Sequence, residues 1–409
     1  MSSGNLVSVI LVPETVYGIK DEPLSGVTAE TARFTSESLS GTPTTTTSAA
    51  IRTDRMSSGQ VVTGLEVGGS LDFELAPGDY FDQMFSAAMM SDWTAAQTIP
   101  TDVTLTPDPA DDQQADLVIT GDFSSIGVAV NDVLQLVPAT GSPVTVSVIT
   151  VTSTTELVVA TKRGEAPIVG VAMDVVAPAK LVIGALQKSF TVGKSYLDVT
   201  HDVSTDIHSQ TYTGSLVNGF TVDATYGSIS TGSFDLMGNG YELEAPSYEQ
   251  QIETAGGTIN PAGTEAPLNA SIDVPLVTAD GVATEFCVES FSITFGNNLD
   301  PQNCIGKAAP TGYTLGTASI DISSSIYLSD SSYDVWMEGK LTQTPVSMTF
   351  TMQNAAGGYA FHLAQVQLSF PDPSSQGLDT QTMIEAAGTG KVGANGESAL
   401  VIYKLLGDQ

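Results

Sequence analysis

At 409 residues, with 41% apolar residues and a mean hydropathy of +0.12, the chain is long enough for two or three domains around a sizeable core. Thirteen Lys and Arg stand against 46 Asp and Glu, a formal charge of −33; this argues against tight binding to nucleic-acid phosphates or anionic membranes, both of which need cations. Charged residues are only 14%, so Ser, Thr, Asn, Gln and Gly must supply most of the polar surface, and with Val and Ile these favour strands and turns.

The N-terminal segment MSSGNLVSVILVPETVYG has no basic stretch, and its apolar run from Leu6 to Val12 is too short for a signal-peptide core. It is expected as a first strand, in a protein that is neither secreted nor membrane-spanning. A polar run follows, SGTPTTTTSAA at 40–50, expected as a loop that orders against a neighbour. The segment Leu65 to Met84, LEVGGSLDFELAPGDYFDQM, then alternates. Leu65, Val67, Leu71, Phe73 and Leu75 share one face, and Glu66, Ser70, Asp72 and Glu74 the other, which predicts a strand with one packed and one wet side. Pro77-Gly78-Asp79 ends it, with Asp79 as the expected N-cap of a short helix running through Met90.

From about 100 to 184 the texture changes. Pro107, Pro109, Asp111 and Asp112 mark an exposed turn, and Val-rich runs at 117–120, 133–137, 143–152, 156–161 and 168–176 predict five short strands of a small β-barrel or sandwich. Lys188 to Tyr196 resumes the earlier pattern, so this module is expected as an insertion. Strands follow at 189–192, 211–225 and 230–237, then a Gly-, Pro-, Glu- and Asn-rich stretch that predicts a linker or long connection over 241–284. A second β block has expected strands at 286–296, 315–329, 346–353 and 359–370, a short helix near 331–339, a Gly-rich tail and a last strand from Ala399 to Leu406.

The second block repeats the first. At a constant shift of 253 residues Val67 falls on Ile320, Phe73 on Ile326, Leu75 on Leu328, Tyr80 on Tyr333 and Met84 on Met337. Asp321, Ser323, Ser325 and Tyr327 then form the wet face of the second copy. The expected organisation is 1–99 with 185–240 as a first domain, 100–184 inserted, 241–284 connecting, and 285–409 as a second domain.

Signatures of catalysis are missing. The three histidines are His201, His208 and His362; the first two lie seven apart in an expected polar loop with Asp198, Asp202 and Asp206, which is not a zinc spacing. Gly193-Lys194-Ser195 lacks the first glycine of a phosphate loop and lies on an expected strand. Asp108, Asp111, Asp112 and Asp116 lack the glycine and glutamate of a calcium loop. Cys287 and Cys304 form no CxxC, and Trp93 and Trp336 fall in or just after the expected helices, where core packing explains them. No cofactor, metal or catalytic residue is expected. A carbohydrate-active enzyme has only abundant carboxylates in its favour, and a cell-surface adhesin or surface-layer protein suits the Thr-rich acidic composition but not the expected lack of a secretion signal.

Three blocks resemble the tail tube proteins (major tail proteins) of long, non-contractile-tailed bacteriophages. They are RFTSESLSGTPTTTTSAAIRTDR with TGLEVGGSLDFELAPGDYFDQMFSAAM; KSFTVGKSYLD with YTGSLVNGFTVDATYGSISTGSFDLMGNG; and VESFSITFGNNLDPQNCIGK with YTLGTASIDISSSIYLSDSSYDVWMEGK. The resemblance implies an all-β fold with short helices: two tandem β-sandwich domains whose sheets join between subunits into a β-barrel around a lumen, with the inserted small β domain on the outside. It implies a non-enzymatic virion protein, assembled in the host cytoplasm into stacked rings that conduct DNA during ejection. A two-domain chain would reach pseudo-six-fold rings as a trimer, with a hexamer as the alternative. The implied partners are other copies of the chain, a tape-measure protein, tail terminator and distal tail or baseplate proteins, and double-stranded DNA passing without specific binding; no membrane is implied. Glu66, Ser70, Asp72, Glu74, Asp321, Ser323, Ser325 and Tyr327 would face the lumen. The segment carrying Thr42, Thr44, Thr46, Arg52 and Arg55 would contact the next ring. An acidic and hydroxyl lining would repel phosphates and let DNA slide.

Overall fold

A computed structural model describes residues 6–51, 53, 56, 59–107, 116–124, 126–138, 142–161, 173–200, 205–279, 282–283, 287–328, 343–369, 371–372, 381–394 and 396–408. In chain order the first strands are β1 (Val7–Pro13), β2 (Thr28–Thr31), β3 (Ser36–Glu37), β4 (Ser40–Thr47) and β5 (Gln60–Glu74), followed by helix α1 (Asp79–Ala88). Six strands then close a barrel: β6 (Gln97–Pro107), β7 (Asp116–Thr120), β8 (Val133–Pro138), β9 (Val144–Ser153), β10 (Glu156–Ala160) and β11 (Met173–Ala177). The chain returns through β12 (Ala179–Val182), β13 (Ser189–Thr200), β14 (Ile207–Thr225), β15 (Thr231–Gly238) and β16 (Gly240–Glu244). Helix α2 (Tyr248–Ala255), β17 (Thr258–Asn260), β18 (Val277–Ala279) and β19 (Val282–Ala283) occupy the stretch expected as a linker or long connection. The last part holds β20 (Val288–Gly296), β21 (Asp300–Pro301), β22 (Tyr313–Thr314), β23 (Ser319–Tyr327), β24 (Val346–Asn354), β25 (Gly357–Ser369), β26 (Met383–Lys391) and β27 (Leu400–Leu405).

The repeat is visible in the wiring. The antiparallel hairpins β13–β14 and β14–β15, closed by β15 on β5, match the hairpins β24–β25 and β25–β26, closed by β26 on β23. The nine residues Glu66–Glu74 of β5, shifted by 253, are the nine of β23, Ser319–Tyr327. In each copy the odd-even alternation sends Leu71 and Phe73, or Ile320 and Ile322, into one buried core. Tyr333, Met337, Trp336 and the expected helix near 331–339 lie outside the described residues.

One strand splices the halves. β14 is 19 residues long and does two jobs on each edge. Its first half lies between β13 and β16, and its second half between β15 and β20. The β14–β20 ladder runs from Gly219 opposite Gly296 to Thr225 opposite Ser290. A sheet thus runs unbroken through β3/β4, β5, β15, β14, β20, β23, β26 and the end of β25. Sequence reasoning expected such joining between subunits; the β14–β20 ladder joins the two halves inside one chain.

The core between this sheet and the outer strands is aromatic. Phe234 packs on Phe73 with ring centroids 4.6 Å apart and on Phe85 at 5.4 Å, and Phe85 reaches Phe220 at 5.2 Å and Tyr359 at 5.2 Å. α1 inserts between the halves. Its Asp82 accepts from Tyr359 Oη at 2.8 Å and pairs with Lys404 of β27. The helix begins at Asp79 with Gly78, not Asp79, at the N-cap, and it ends at Ala88 rather than Met90. Gly78 has φ 155°, a backbone that favours glycine, and Asp79 and Asp82 instead place negative charge in the first turn, where the helix dipole favours it.

The inserted barrel has its own core, including Ile119, Leu134, Val146, Leu157 and Val175. It contains one strand that the sequence reading missed, β6, whose last residue, Pro107, was expected in an exposed turn. Pro109, Asp111 and Asp112 of the expected turn lie outside the described residues, as do 168–172 of the last expected strand. The barrel sits on β27: Val133 packs with Val401, Tyr403 and Leu405, and Gln135 Oε1 accepts from Leu406 N at 2.8 Å. Leu400 and Ile402 of the same strand point the other way, into the main core.

The stretch 241–284 is built in rather than slack. Ser247 caps α2 with a full capping box, Gly256 closes it at φ 83°, and Tyr248 and Ile252 pack on Ile10 and Val12 of β1. A composition rich in turn residues hid this short amphipathic helix. The Gly-rich tail likewise forms β26, whose small residues lie close to neighbours: a Cβ at Gly390 would come 3.0 Å from Ile320.

His362 of β25 is buried, with Nδ1 3.0 Å from Thr349 Oγ1, and burial pushes its pKa down to about 4. The folded state holds it neutral, whereas the unfolded chain takes a proton below about 6.5. Its contribution is therefore full above pH 6.5 and is lost as pH falls towards 4. Burial raises the pKa of Asp82 and Asp235, which act with the opposite sign, so the variant difference is the useful readout. Relative to wild type, His362→Gln should flatten the fall in melting temperature between pH 6.5 and 4, a window worth up to about 3 kcal/mol. Parallel melting curves for the two proteins across that window would rule this out.

Candidate functional site

The polar side of the shared sheet is an organised surface that spans both halves of the chain. Antiparallel pairing puts directly opposed residues on the same face, so one wet residue per strand extends into a row. One row runs Ser36, Asp72, Ser233, Thr221, Thr294, Asp321, Thr389, Gln367. The next runs Glu74, Thr231, Asp223, Ser292, Ser323, Ala387, Ser369. Ser70 lies opposite Asp235, Ser325 between Ser290 and Glu385, and Tyr327 opposite Met383. Glu66 is opposite Thr42. All eight residues expected on the wet faces thus share one side of one sheet.

Hydroxyls hold the carboxylates in place. Ser36 donates to Asp72, Ser292 to Asp223, and Ser325 to Glu385 Oε2 at 2.8 Å. Thr221 and Ser233 are 3.0 Å apart through their hydroxyls, and Ser38 and Ser70 likewise 3.0 Å. Partial burial, and then the like charge of Asp72, raise the pKa of Asp235. The ion pairs of Lys20, Lys180, Lys188, Lys194 and Lys404 involve other carboxylates. On this face Lys391 contacts Gln367.

The acids are uneven. The strands of the first copy carry Glu66, Asp72, Glu74, Asp223 and Asp235; those of the second carry Asp321 and Glu385. Asp223, Asp235 and Glu385 were missed in the sequence reading, although the alternations in TVDAT and TGSFDLMG held the signal.

The segment expected as a polar loop at 40–50 is a strand for most of its length: β4 pairs with β5 from Ser40 opposite Gly68 to Thr47 opposite Gln60. Its threonines are β-branched and suit a pleated ribbon, a preference that outweighs their polarity. Thr42, Thr44 and Thr46 are exposed on it, and Thr46 Oγ1 lies 3.3 Å from Thr63 Oγ1. Arg52 and Arg55 lie outside the described residues.

Of the motifs weighed in the sequence, Gly193-Lys194-Ser195 is mid-strand in β13, where Lys194 pairs with Glu37 at 2.6 Å. Among the described residues no three His, Cys, Asp or Glu groups are placed to hold a metal. His201 lies outside those residues, His208 is in β14, and Asp116 is in β7. Both cysteines are free and exposed. No helix among the described residues is long and apolar enough to cross a membrane.

The family model described as phage tail tube protein matches residues 4–391. The chain belongs to the phage tail tube family. As a tail tube protein it is a structural virion component, and membership implies self-assembly into a tube and a non-enzymatic role. The β-rich architecture, with two short α-helices among the described residues, agrees with the tail tube fold. No curated protein matches the chain.

Proposed function

We propose that three copies of this tail tube protein close a ring of six sheet modules, and that stacked rings form a conduit for DNA lined by the polar face described above. The carrying observation is that continuous face: eight strand segments present carboxylates and hydroxyls on one side and the core on the other. Joining such sheets edge to edge leaves no exposed edge and encloses the polar side. Facing DNA, fixed negative charge repels phosphates, and hydroxyls offer weak, exchangeable contacts. The uneven acids would give the lumen a three-fold alternation of charge.

In this reading residues 1–99 with 185–240 form one tube domain, 285–409 the second, and 241–284 ties them together. The barrel within 100–184 would lie outside, because it covers the face of β27 that points away from the core and the polar sheet. The β4–β5 ribbon would contact the next ring. A tape-measure protein, tail terminator and distal tail proteins would meet the same tube, assembled in the host cytoplasm.

Negative-stain microscopy of concentrated protein tests this, with the triple variant Glu66→Lys, Asp72→Lys, Glu74→Lys alongside. Hollow tubes with a central channel are expected from both, and phage carrying the variant should eject DNA several-fold more slowly. Monodisperse monomers under every condition would overturn the tube reading. Unchanged ejection would remove these carboxylates from the lumen.

A further inference from the structure

β8 and β27 are each buried on both sides, and they face each other. In β8, VLQLVP, Leu134 and Leu136 point into the barrel core while Val133 and Gln135 point away from it, yet all four are at most 1% exposed. In β27, LVIYKL, Leu400 and Ile402 enter the main core, and Val401, Tyr403 and Leu405 turn towards Val133. Ala360 of β25 joins that second cluster. A strand that lies on one core packs one face; a second packed face needs another layer laid over it.

Polar groups complete the seam. Gln135 Oε1 accepts from Leu406 N at 2.8 Å and its Nε2 donates to Leu406 O at 3.3 Å, so one side-chain amide meets both backbone groups of the residue after β27. Thr145 Oγ1 donates to Gln353 Oε1 at 2.6 Å, and Tyr403 Oη to Asp132 Oδ1 at 3.0 Å. The first half has a different cover, α2, which lays Tyr248 and Ile252 on Ile10 and Val12. Among the described residues no helix follows α2 to do the same for the second half.

We propose that the inserted barrel is the outer layer of the second half, required for that half to keep its fold, and not an appendage of the first half into which it is inserted. The inference goes beyond the tube reading and does not need it, since both faces of the seam belong to one chain. The root of the barrel is set for this role. Thr94 and Lys180, at its entry and exit, bond each other twice at 3.0 Å, and β12, which carries Lys180, is itself paired with β27. Uncovered, Val401, Tyr403 and Leu405 would put an apolar strip into water, and Leu406 would lose its amide partner. The first half thus supplies in sequence a layer that the second half uses in space.

Hydrogen exchange on the full-length chain tests this, with Val133→Asp plus Gln135→Ala. Neither side chain belongs to the barrel core, and the aspartate would bury a charge against Val401, Tyr403 and Leu405. Exchange at the amides of β25 and β27 should rise roughly tenfold or more, while β1 and β13 of the first half and β7 and β10 of the barrel keep wild-type protection. Leu406, which loses its own partner, is left out of the comparison. If the double change unfolds the barrel, Gln135→Ala alone decides, because it leaves the apolar contacts of Val133 in place; it should raise the same amides by less. Unchanged exchange in β25 and β27 would overturn the proposal and make the barrel an appendage. An equal rise in β1 and β13 would overturn it as well, because the cover would then serve the whole chain.

Discussion

Phe234→Ala is expected to lower stability by about 4 kcal/mol. Phe234 is fully buried and touches aromatic rings from β5, α1 and β14: Phe73 at 4.6 Å, Phe85 at 5.4 Å and Phe220 at 6.4 Å. Truncation removes the transfer energy of the ring and leaves a cavity between rigid strands that cannot collapse. Because Phe85 also contacts Tyr359 and Phe361 of β25, the loss should be felt in both halves of the sheet. Chemical denaturation would show one transition at lower denaturant. A shift of less than 1 kcal/mol would mean that the aromatic cluster repacks.

The second large effect concerns a single carboxylate. Glu14 follows β1 and accepts four hydrogen bonds: Oε2 from Gly18 N and Ser189 Oγ, both at 2.7 Å, and Oε1 from Thr191 Oγ1 and Gly214 N, both at 2.8 Å. Gly214 and Gly18 have φ of 63° and 71°, so the two amides face the carboxylate from left-handed backbone positions that favour glycine. Bonds to a charged acceptor contribute about 1.5–3 kcal/mol each, and a half-buried amide left unpaired costs more than the bond was worth. Glu14→Leu should therefore cost about 3–5 kcal/mol. Glu14→Gln should be intermediate, since its amide nitrogen turns a donor towards donors. Amide exchange at Gly214 and Gly18 would report the loss locally; unaltered protection there would show that the loop is held by other contacts.

What was legible in the sequence follows from how local each signal is. The alternation in LEVGGSLDFE and SIDISSSIY is a property of nine or ten residues, and it located β5, β23 and the polar residues of their outer faces, although β5 begins at Gln60, before Leu65, and β23 is shorter than the expected 315–329. The hairpin strands β14, β24 and β25 were found close to their observed bounds, because long alternating runs admit few other readings, whereas β13 was expected only over 189–192 of Ser189–Thr200. The β14–β20 splice was not legible. Nothing in either strand announces a partner some 70 residues away, and both already had hairpin neighbours to explain their pattern. Similarly, SGTPTTTT was judged by polarity when the β-branching of threonine was the deciding property. α2 was lost because eight residues with two buried side chains leave little periodicity to detect. The acids of β14, β15 and β26 were legible one strand at a time, but only pairing shows that they share a face with Glu66 and Asp72.

The splice also separates two kinds of seam by their thermodynamics. The ladder between β14 and β20 forms within one molecule, so its strength does not depend on protein concentration, whereas any seam between copies does. In a closed ring built from this chain, every second joint between modules is thus already made before two copies meet. Dilution, salt or mild denaturant would open such a tube into whole chains rather than half-chains. The number of joints that must be found by collision is halved, and the angle across the others is fixed in advance by a folded core.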